Sequence, residues 1–168
     1  MNILIPMAGE GSRFKINGYE LPKPLIEIDG EPMIKRAIQT LNLEGKYIFI
    51  TKKYDNKQNN KKLKETLKSI SPDCIILEID KTTNGSAETC LVAKEFINNS
   101  DELIITNCDQ LMEWDSTLFN NFIKNEMDGA VVTYTSEDPK NSFVELGEDN
   151  KAKNIVEKDP ISNIALIG

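Results

Sequence analysis

Residues 1–14 read MNILIPMAGEGSRF: an apolar run, Asn2 to Met7, breaks into a turn punctuated by Gly9 and Gly11 and closed by Ser12 and Arg13. An aliphatic run of this length that stops at Gly-x-Gly has the pattern of a buried strand opening into a loop at its carboxyl end. The backbone N–H groups of such a loop stand clear of side chains, and a nest of them suits phosphate oxygens. Two well-known phosphate loops do not fit. GxxxxGK followed by Ser or Thr does not occur near Gly9. The dinucleotide fingerprint matches at Gly9 and Gly11 but meets Phe14 at its third position, where a small residue lets helix and strand pack closely. By itself the turn leaves a plain structural role and a phosphate cradle equally open.

Outward from this turn, four more apolar runs have the length and β-branched content of buried strands: YIFIT at 47–51, CIILEI at 74–79, LIITN at 103–107 and AVVTYT at 130–135. Helical patterns lie between them. Pro32 suits a first helical turn, and Ile34, Ile38 and Leu41 then share one face of a helix over about 32–42. Segments of about 57–70, 86–98 and 116–125 follow the same pattern. Strand and helix alternating in this way predict an α/β fold with an open, mostly parallel sheet flanked by helices. After residue 140 the pattern changes to short extended pieces, FVELGED, AKNIVEKD and SNIALIG, which predict a β-rich second half. The last apolar run reaches Gly168, and this predicts a C-terminally truncated fold with further elements beyond that residue.

Composition narrows the chemistry. The 168 residues suffice for one domain with a real core. Twenty basic against 27 acidic residues give a net charge of −7, which argues against broad nucleic-acid binding, so an anionic ligand has to be met by a few well-placed cations. The stretch Lys52 to Lys64 reads as a solvated loop and helix face, because Tyr54 is its only aromatic residue. Histidine is absent, which removes imidazole as base, nucleophile or metal ligand. Cys74, Cys90 and Cys108 show no CxxC spacing and sit in or beside apolar segments, as buried thiols do. No stretch approaches the roughly 20 apolar residues of a membrane span. Pro6 and Gly9 interrupt the early apolar run that a secretory signal would need. A cytoplasmic location without membrane or nucleic-acid partners is expected.

The LPKPL segment, Leu21 to Leu25, shifts the balance at the glycine turn. Two prolines hold the backbone extended around Lys23, so its ammonium is presented from a stiff loop. Arg13 and Lys23 are thereby two cations that a short excursion of chain could bring to the same nest. With these residues in view, MAGEGSRF followed by LPKPLIEIDGEPMI resembles the opening of the nucleotidyltransferases that activate sugar phosphates, whose mark is Gly-x-Gly-Ser/Thr-Arg followed by Pro-Lys-Pro-Leu. Members of that family join a nucleoside triphosphate to a phosphorylated small molecule and release pyrophosphate. The resemblance implies a Rossmann-like nucleotide-diphospho-sugar transferase fold. It also implies that Ala8, Gly9, Gly11, Ser12 and Arg13 wrap the triphosphate and that Lys23 contacts its phosphates.

Three later stretches are similar to the same family. Asn84-Gly85-Ser86-Ala87 resembles the segment that approaches base and ribose, and Ser86 would equally serve as a helix N-cap. Asn107-Cys108-Asp109-Gln110 closes the LIITN run and resembles the strand-end aspartate that holds Mg2+, although a lone Asp109 could be a simple turn residue. An open parallel sheet binds its ligands beyond the carboxyl ends of its strands, where both Gly9 and Asp109 fall. IVEKDPISNIALIG resembles the acceptor region and implies that Glu157 and Lys158 bind the acceptor. On this reading 1–168 is one domain, with 1–135 the nucleotide-binding half and 136–168 the start of the acceptor-binding half. A second acidic metal ligand is expected past residue 168, and a homo-oligomer is compatible with the family.

Two rival functions remain at this stage. A glycosyltransferase of related architecture would use an acidic D-x-D pair, and Asn107-Cys108-Asp109 lacks the first acid. A catalytically silent nucleotide-binding regulatory domain is the other. The acceptor stays open between a sugar 1-phosphate and another small capsule or cell-surface precursor, such as a phosphorylated amino acid. CTP is favoured as donor because relatives with small non-hexose acceptors commonly use it.

Overall fold

The structure is a computed structural model and describes residues 1–124 and 128–167. It divides into two compact units, Met1–Ser116 and Thr117–Gly168.

The first unit is built on β1 (Asn2–Met7), whose residues are nearly all buried. After it come the short helix α1 (Ser12–Ile16), a 3-10 turn at Lys23–Leu25, and a small hairpin of β2 (Glu27–Ile28) and β3 (Glu31–Pro32). Then α2 (Met33–Leu41), β4 (Lys46–Lys52), α3 (Lys57–Ile70), β5 (Ile75–Ile79), α4 (Ser86–Leu91), α5 (Lys94–Ile97) and β6 (Leu103–Ile105) complete the alternation. The central sheet has the order β5-β4-β1-β6 and every pairing in it is parallel. In register, Leu4 lies beside Ile48 on one side and Ile105 on the other. Leu4, Ile48 and Ile50 pack with Ala93, Cys90, Phe96 and Ile97 of the α4–α5 segment. Ile3, Ile5 and Phe49, one residue out of step, point to the opposite face and are also fully buried. Both faces are therefore covered, as expected for a parallel sheet.

The order of the strands matters more than their number. The chain proceeds from β1 to β4 and β5 in one direction, then crosses back so that β6 lies on the far side of β1. The switch in direction falls between β1 and β6, where open α/β sheets form their ligand crevice.

The helix expected over 86–98 is two pieces. Val92 and Ala93 donate to the carbonyls three residues back, Thr89 and Cys90, which tightens the chain as fully buried Ala93 packs on the sheet. Pro32 sits one residue ahead of α2 with extended backbone, so the helix begins at Met33. In α3 the carboxamide oxygen of Asn56 caps the start, accepting from Gln58 and Asn59, and only Leu63 and Leu67 are buried. Its lysines face solvent, pairing with Glu27, Glu65 and Glu78. All three cysteines are free. Among the described residues no helix is long and apolar enough to cross a membrane.

Helix α6 (Ser116–Ile123) spans the boundary between the units. Its expected last residue, Asn125, and the end of the SNIALIG run, Gly168, lie outside the described residues. The second unit carries an antiparallel sheet of β7 (Thr133–Thr135), β8 (Ser142–Leu146), β9 (Ala152–Glu157) and β10 (Ile164–Leu166), in the order β7-β10-β8-β9. The AVVTYT run thus does not extend the parallel sheet. Only Thr133–Thr135 is strand, it is exposed, and its partner is β10. A run of this length announces a strand but not the direction of its neighbour.

Candidate active site

The first unit holds a cleft of about 370 Å³ at the switch point. Its floor begins where β1 ends. Ala8 is buried, and Gly11 adopts the left-handed conformation at φ +62°, which turns the chain into α1. A Cβ on Gly11 would approach the Lys23 Cβ to 3.3 Å, whereas one on Gly9 would meet nothing within 4 Å. The N–H groups of Gly9, Glu10 and Gly11 donate to no acceptor among the described residues, which is the electrostatic character of an anion nest. The Glu10 carboxylate turns instead to Lys52 at the end of β4 and to Lys15, 3.3 Å away. These lysines, Lys52 foremost, hold its carboxyl below the usual glutamate range.

Lys23 is positioned by the prolines around it. Leu25 N–H donates to the Pro22 carbonyl at 2.8 Å, and Pro24 and Leu25 are buried, so the 3-10 turn is anchored under the lysine. The ammonium lies 2.5 Å from Asp109 Oδ2, with the two side chains 27% and 33% exposed. It also stands 5.9 Å from the centre of the Phe14 ring, within range of a cation–π contact. The bulky residue that spoils the dinucleotide fingerprint thus forms one wall for Lys23, braced edge-on by Tyr19 at 5.6 Å.

Asp109 is reached through the loop after β6. Thr106 N–H donates to Leu4 carbonyl at 3.1 Å, which carries the sheet one step further and delivers Asn107, Cys108 and Asp109 beside the glycine turn. Burial pushes the Cys108 thiol up to about 11, so it is not a nucleophile at neutral pH. Burial, with smaller contributions from Cys108 and Glu10, likewise raises the Tyr54 phenol to about 12.

The opposite wall is the start of α4. Gly85 occupies the N-cap position with extended backbone and Ser86 is the first helical residue, so Ser86 is not the cap. The Glu88 carboxylate reaches back to accept from Asn84 N–H at 2.9 Å and from Asn84 Nδ2 at 2.8 Å, the backbone bond contributing most to its lowered pKa. The Gly85 carbonyl accepts from Thr89 N–H and from the hydroxyls of Thr83 and Thr89 at 3.0–3.1 Å.

Ala8, Gly9, Gly11, Lys23, Gly85, Ser86 and Asp109 therefore line one cleft. Ser12 and Arg13 do not; both are exposed on α1, and the Arg13 guanidinium makes no ion pair among the described residues. Glu157 and Lys158 belong to the second unit, where they pair with each other at 2.5 Å, and Lys158 takes a left-handed φ of +58°. Thr82, Thr83 and Thr89 also line the cleft without having been singled out in the sequence. The polar Thr-Thr pair just ahead of Asn84-Gly85 is the signal that could have found two of them.

Among the described residues, Lys23 and Asp109 are the only charged side chains lining the cleft. Among the described residues no three His, Cys, Asp or Glu side chains cluster to hold a metal ion. Mg2+ ordinarily keeps several waters and takes one or two carboxylates together with substrate phosphates. A single carboxylate beside an anion nest fits an ion that arrives on a phosphate ligand.

The nucleotidyl transferase family matches residues 3–168 of the chain. The bifunctional protein GlmU of Methanococcus maripaludis (strain C5 / ATCC BAA-1333) is 27% identical over 161 residues, which cover 94% of this chain and 36% of that protein. The chain thus spans about a third of the length of that curated relative. Among solved structures, the nucleoside-diphosphate-sugar pyrophosphorylase of Vibrio cholerae RC9 superposes with a TM-score of 0.76 at 22% identity, covering 98% of this chain and 70% of the other. The inositol-1-phosphate CTP transferase of T. maritima superposes at 0.70 with 17% identity, covering 99% and 67%. These two likenesses establish the common fold.

Proposed function

The chain belongs to the nucleotidyl transferase family, and from that premise we propose that it joins a nucleoside triphosphate to a small phosphorylated acceptor with release of pyrophosphate. The observation that carries this reading is the Lys23–Asp109 pair, set against a glycine turn with unsatisfied N–H groups at the switch point of the sheet.

Two polyanions must meet for the reaction to proceed. At an effective dielectric near 20, unit charges about 4 Å apart repel by about 4 kcal/mol, so catalysis is largely positioning and charge neutralisation. The nest of Gly9 to Gly11 and the Lys23 ammonium bind the triphosphate, and Ser12 and Arg13, exposed at the start of α1, wrap it. Gly85 and Ser86 approach the nucleoside. Asp109 holds Mg2+, and that ion supplies neutralisation of phosphate charge. An acceptor phosphate, with a second pKa of about 6, is mostly dianionic at neutral pH and attacks the α-phosphorus without a general base. A chain without histidine can therefore support this chemistry.

Glu157 and Lys158 bind the acceptor, a sugar 1-phosphate or another small cell-surface precursor such as a capsule building block. CTP is the favoured donor. The test is a pyrophosphate-release assay on the full-length protein with Mg2+, pairing each NTP with a panel of sugar 1-phosphates and small phosphorylated capsule precursors. Release with CTP and one acceptor is expected. Nucleotide binding with no release from any pair would favour a silent regulatory domain, and release with another NTP would overturn the choice of base.

A further inference from the structure

The glycine turn that would receive the triphosphate carries an acid at its centre. Glu10 stands between Gly9 and Gly11, and the N–H groups of all three are open to an anion. A carboxylate swung over that nest would repel the very ligand the nest suits, most strongly where water is excluded. We infer that Lys52 is a positioning residue for nucleotide binding: it draws the Glu10 carboxylate off the anion nest and cancels its charge. The inference rests on the nucleotidyl-transfer reading and adds to it a residue outside the cleft.

The register of the sheet puts this lysine beside the turn. Met7, the last residue of β1, lies next to Thr51 of β4, so Lys52 follows one step beyond, alongside the start of the glycine turn. Its backbone is fixed, because β4 stays paired with β5 as far as Lys52 and Ile79, and Lys53 N–H donates to the Ile79 carbonyl at 2.9 Å. The Lys52 ammonium donates to Glu10 Oε1, its side chain is 23% exposed, and it is not among the residues lining the cleft. Other charges close by in sequence are engaged elsewhere: Lys53 pairs with Asp80, and Glu78 with Lys64.

Lys15 takes the other carboxylate oxygen, Oε2, at 3.3 Å, but the two lysines are not equivalent. Lys15 reaches Glu10 from a five-residue helix that buries nothing, and its side chain is 63% exposed, so solvent screens its pull. Lys52 acts from a strand of the central sheet and sets the direction in which the carboxylate turns.

Shielding the nest and merely tethering the turn to β4 differ in what a double variant does. Lys52→Met keeps the length of the side chain, removes its charge, and is expected to weaken triphosphate binding by about tenfold. Glu10→Gln leaves Lys52 and Lys15 unneutralised beside the phosphates and should bind more tightly than wild type. Combining the two gives the turn the same net charge as wild type, so binding should recover to within about twofold. A tether lost with Lys52 could not be restored by also removing Glu10. Lys52→Gln is a second neutral variant should Met perturb folding, and Lys52→Arg should keep wild-type affinity. Raising the salt toward about 1 M, where the screening length is about 3 Å, should shrink the gap between wild type and Lys52→Met.

Binding is read by calorimetry on the full-length protein with two probes in the presence of Mg2+, each NTP and inorganic tripolyphosphate. Equal tripolyphosphate affinity in wild type and both neutral variants overturns the inference, and so does a double variant that stays as weak as Lys52→Met. Tripolyphosphate binding in the expected order with no binding of any NTP would remove the proposed function while still supporting Lys52 as the shield of the nest.

Discussion

The two units present charge in contrasting ways. In the first, Lys23 and Asp109 come from loops far apart in the chain and meet over a sheet whose central strands are buried on both faces. In the second, Glu157 and Lys158 are neighbours in sequence, 70% and 67% exposed, and pair with each other at the end of β9. An ion pair assembled by tertiary structure depends on the rigidity of what carries it, while one between adjacent residues needs little beyond the local backbone. The difference identifies which contacts the fold has to work to maintain.

Core substitutions test that contrast most strongly. Phe49 is fully buried in β4 and stacks on Tyr47 with ring centres 5.9 Å apart. Phe49→Ala should cost about 3–5 kcal/mol in chemical denaturation. Ile155→Ala on half-exposed β9 should stay within about 0.5 kcal/mol. Comparable losses from both would mean that Ile155 contributes to packing as Phe49 does despite its exposure.

Next in size is the effect on turnover. Lys23→Ala and Asp109→Asn should each slow pyrophosphate release by on the order of a hundredfold or more with the fold retained. Wild-type turnover in either variant would remove the pair from the mechanism.

The glycine turn offers a smaller comparison within itself. Gly11→Ala places a Cβ at φ +62° and 3.3 Å from Lys23 Cβ, and should cost about 1–2 kcal/mol in thermal or urea unfolding. Gly9→Ala meets no neighbour and should leave stability unchanged while weakening nucleotide binding, because its methyl group would stand in the cleft. Equal destabilisation by both would argue that the turn is a structural device alone.

The parts of this architecture visible in sequence are those encoded locally. Four apolar runs marked β1, β4, β5 and β6: β1 and β4 are apolar because they are covered on both faces, while β6 is apolar although Leu103 and Ile105 are exposed. The partner of a strand is not local, so AVVTYT could not reveal its antiparallel pairing to β10. Helical periodicity also could not show the break at Val92 and Ala93, which follows from how closely Ala93 packs on the sheet. Short α1 buries nothing and carries no apolar face to detect. Within the site, Gly11 and Lys23 were legible because turn chemistry and proline rigidity act on neighbours. The meeting of Lys23 with Asp109 was not, since it depends on the crossover that sets β6 beside β1. Phe14 was readable only as a mismatch, and its role as a wall for that lysine emerges in three dimensions.

The smallest expected effect lies in the second unit. Lys158 lowers the pKa of the Glu157 carboxyl, chiefly through the hydrogen bond and then through its charge. A carboxyl with a folded pKa below its unfolded one adds stability that is present above the unfolded value and lost as pH falls through the folded value. Solvent screens this exposed pair, so Lys158→Ala should leave the acid unfolding midpoint unchanged. The substitution should nonetheless return the Glu157 titration, followed by carboxyl NMR shifts, to the ordinary glutamate range. A shift in the unfolding midpoint would mean that the second unit relies on this pair as the first relies on its core. An unchanged midpoint with a restored titration would leave Lys158 available to exchange Glu157 for an acceptor phosphate at little cost to the fold.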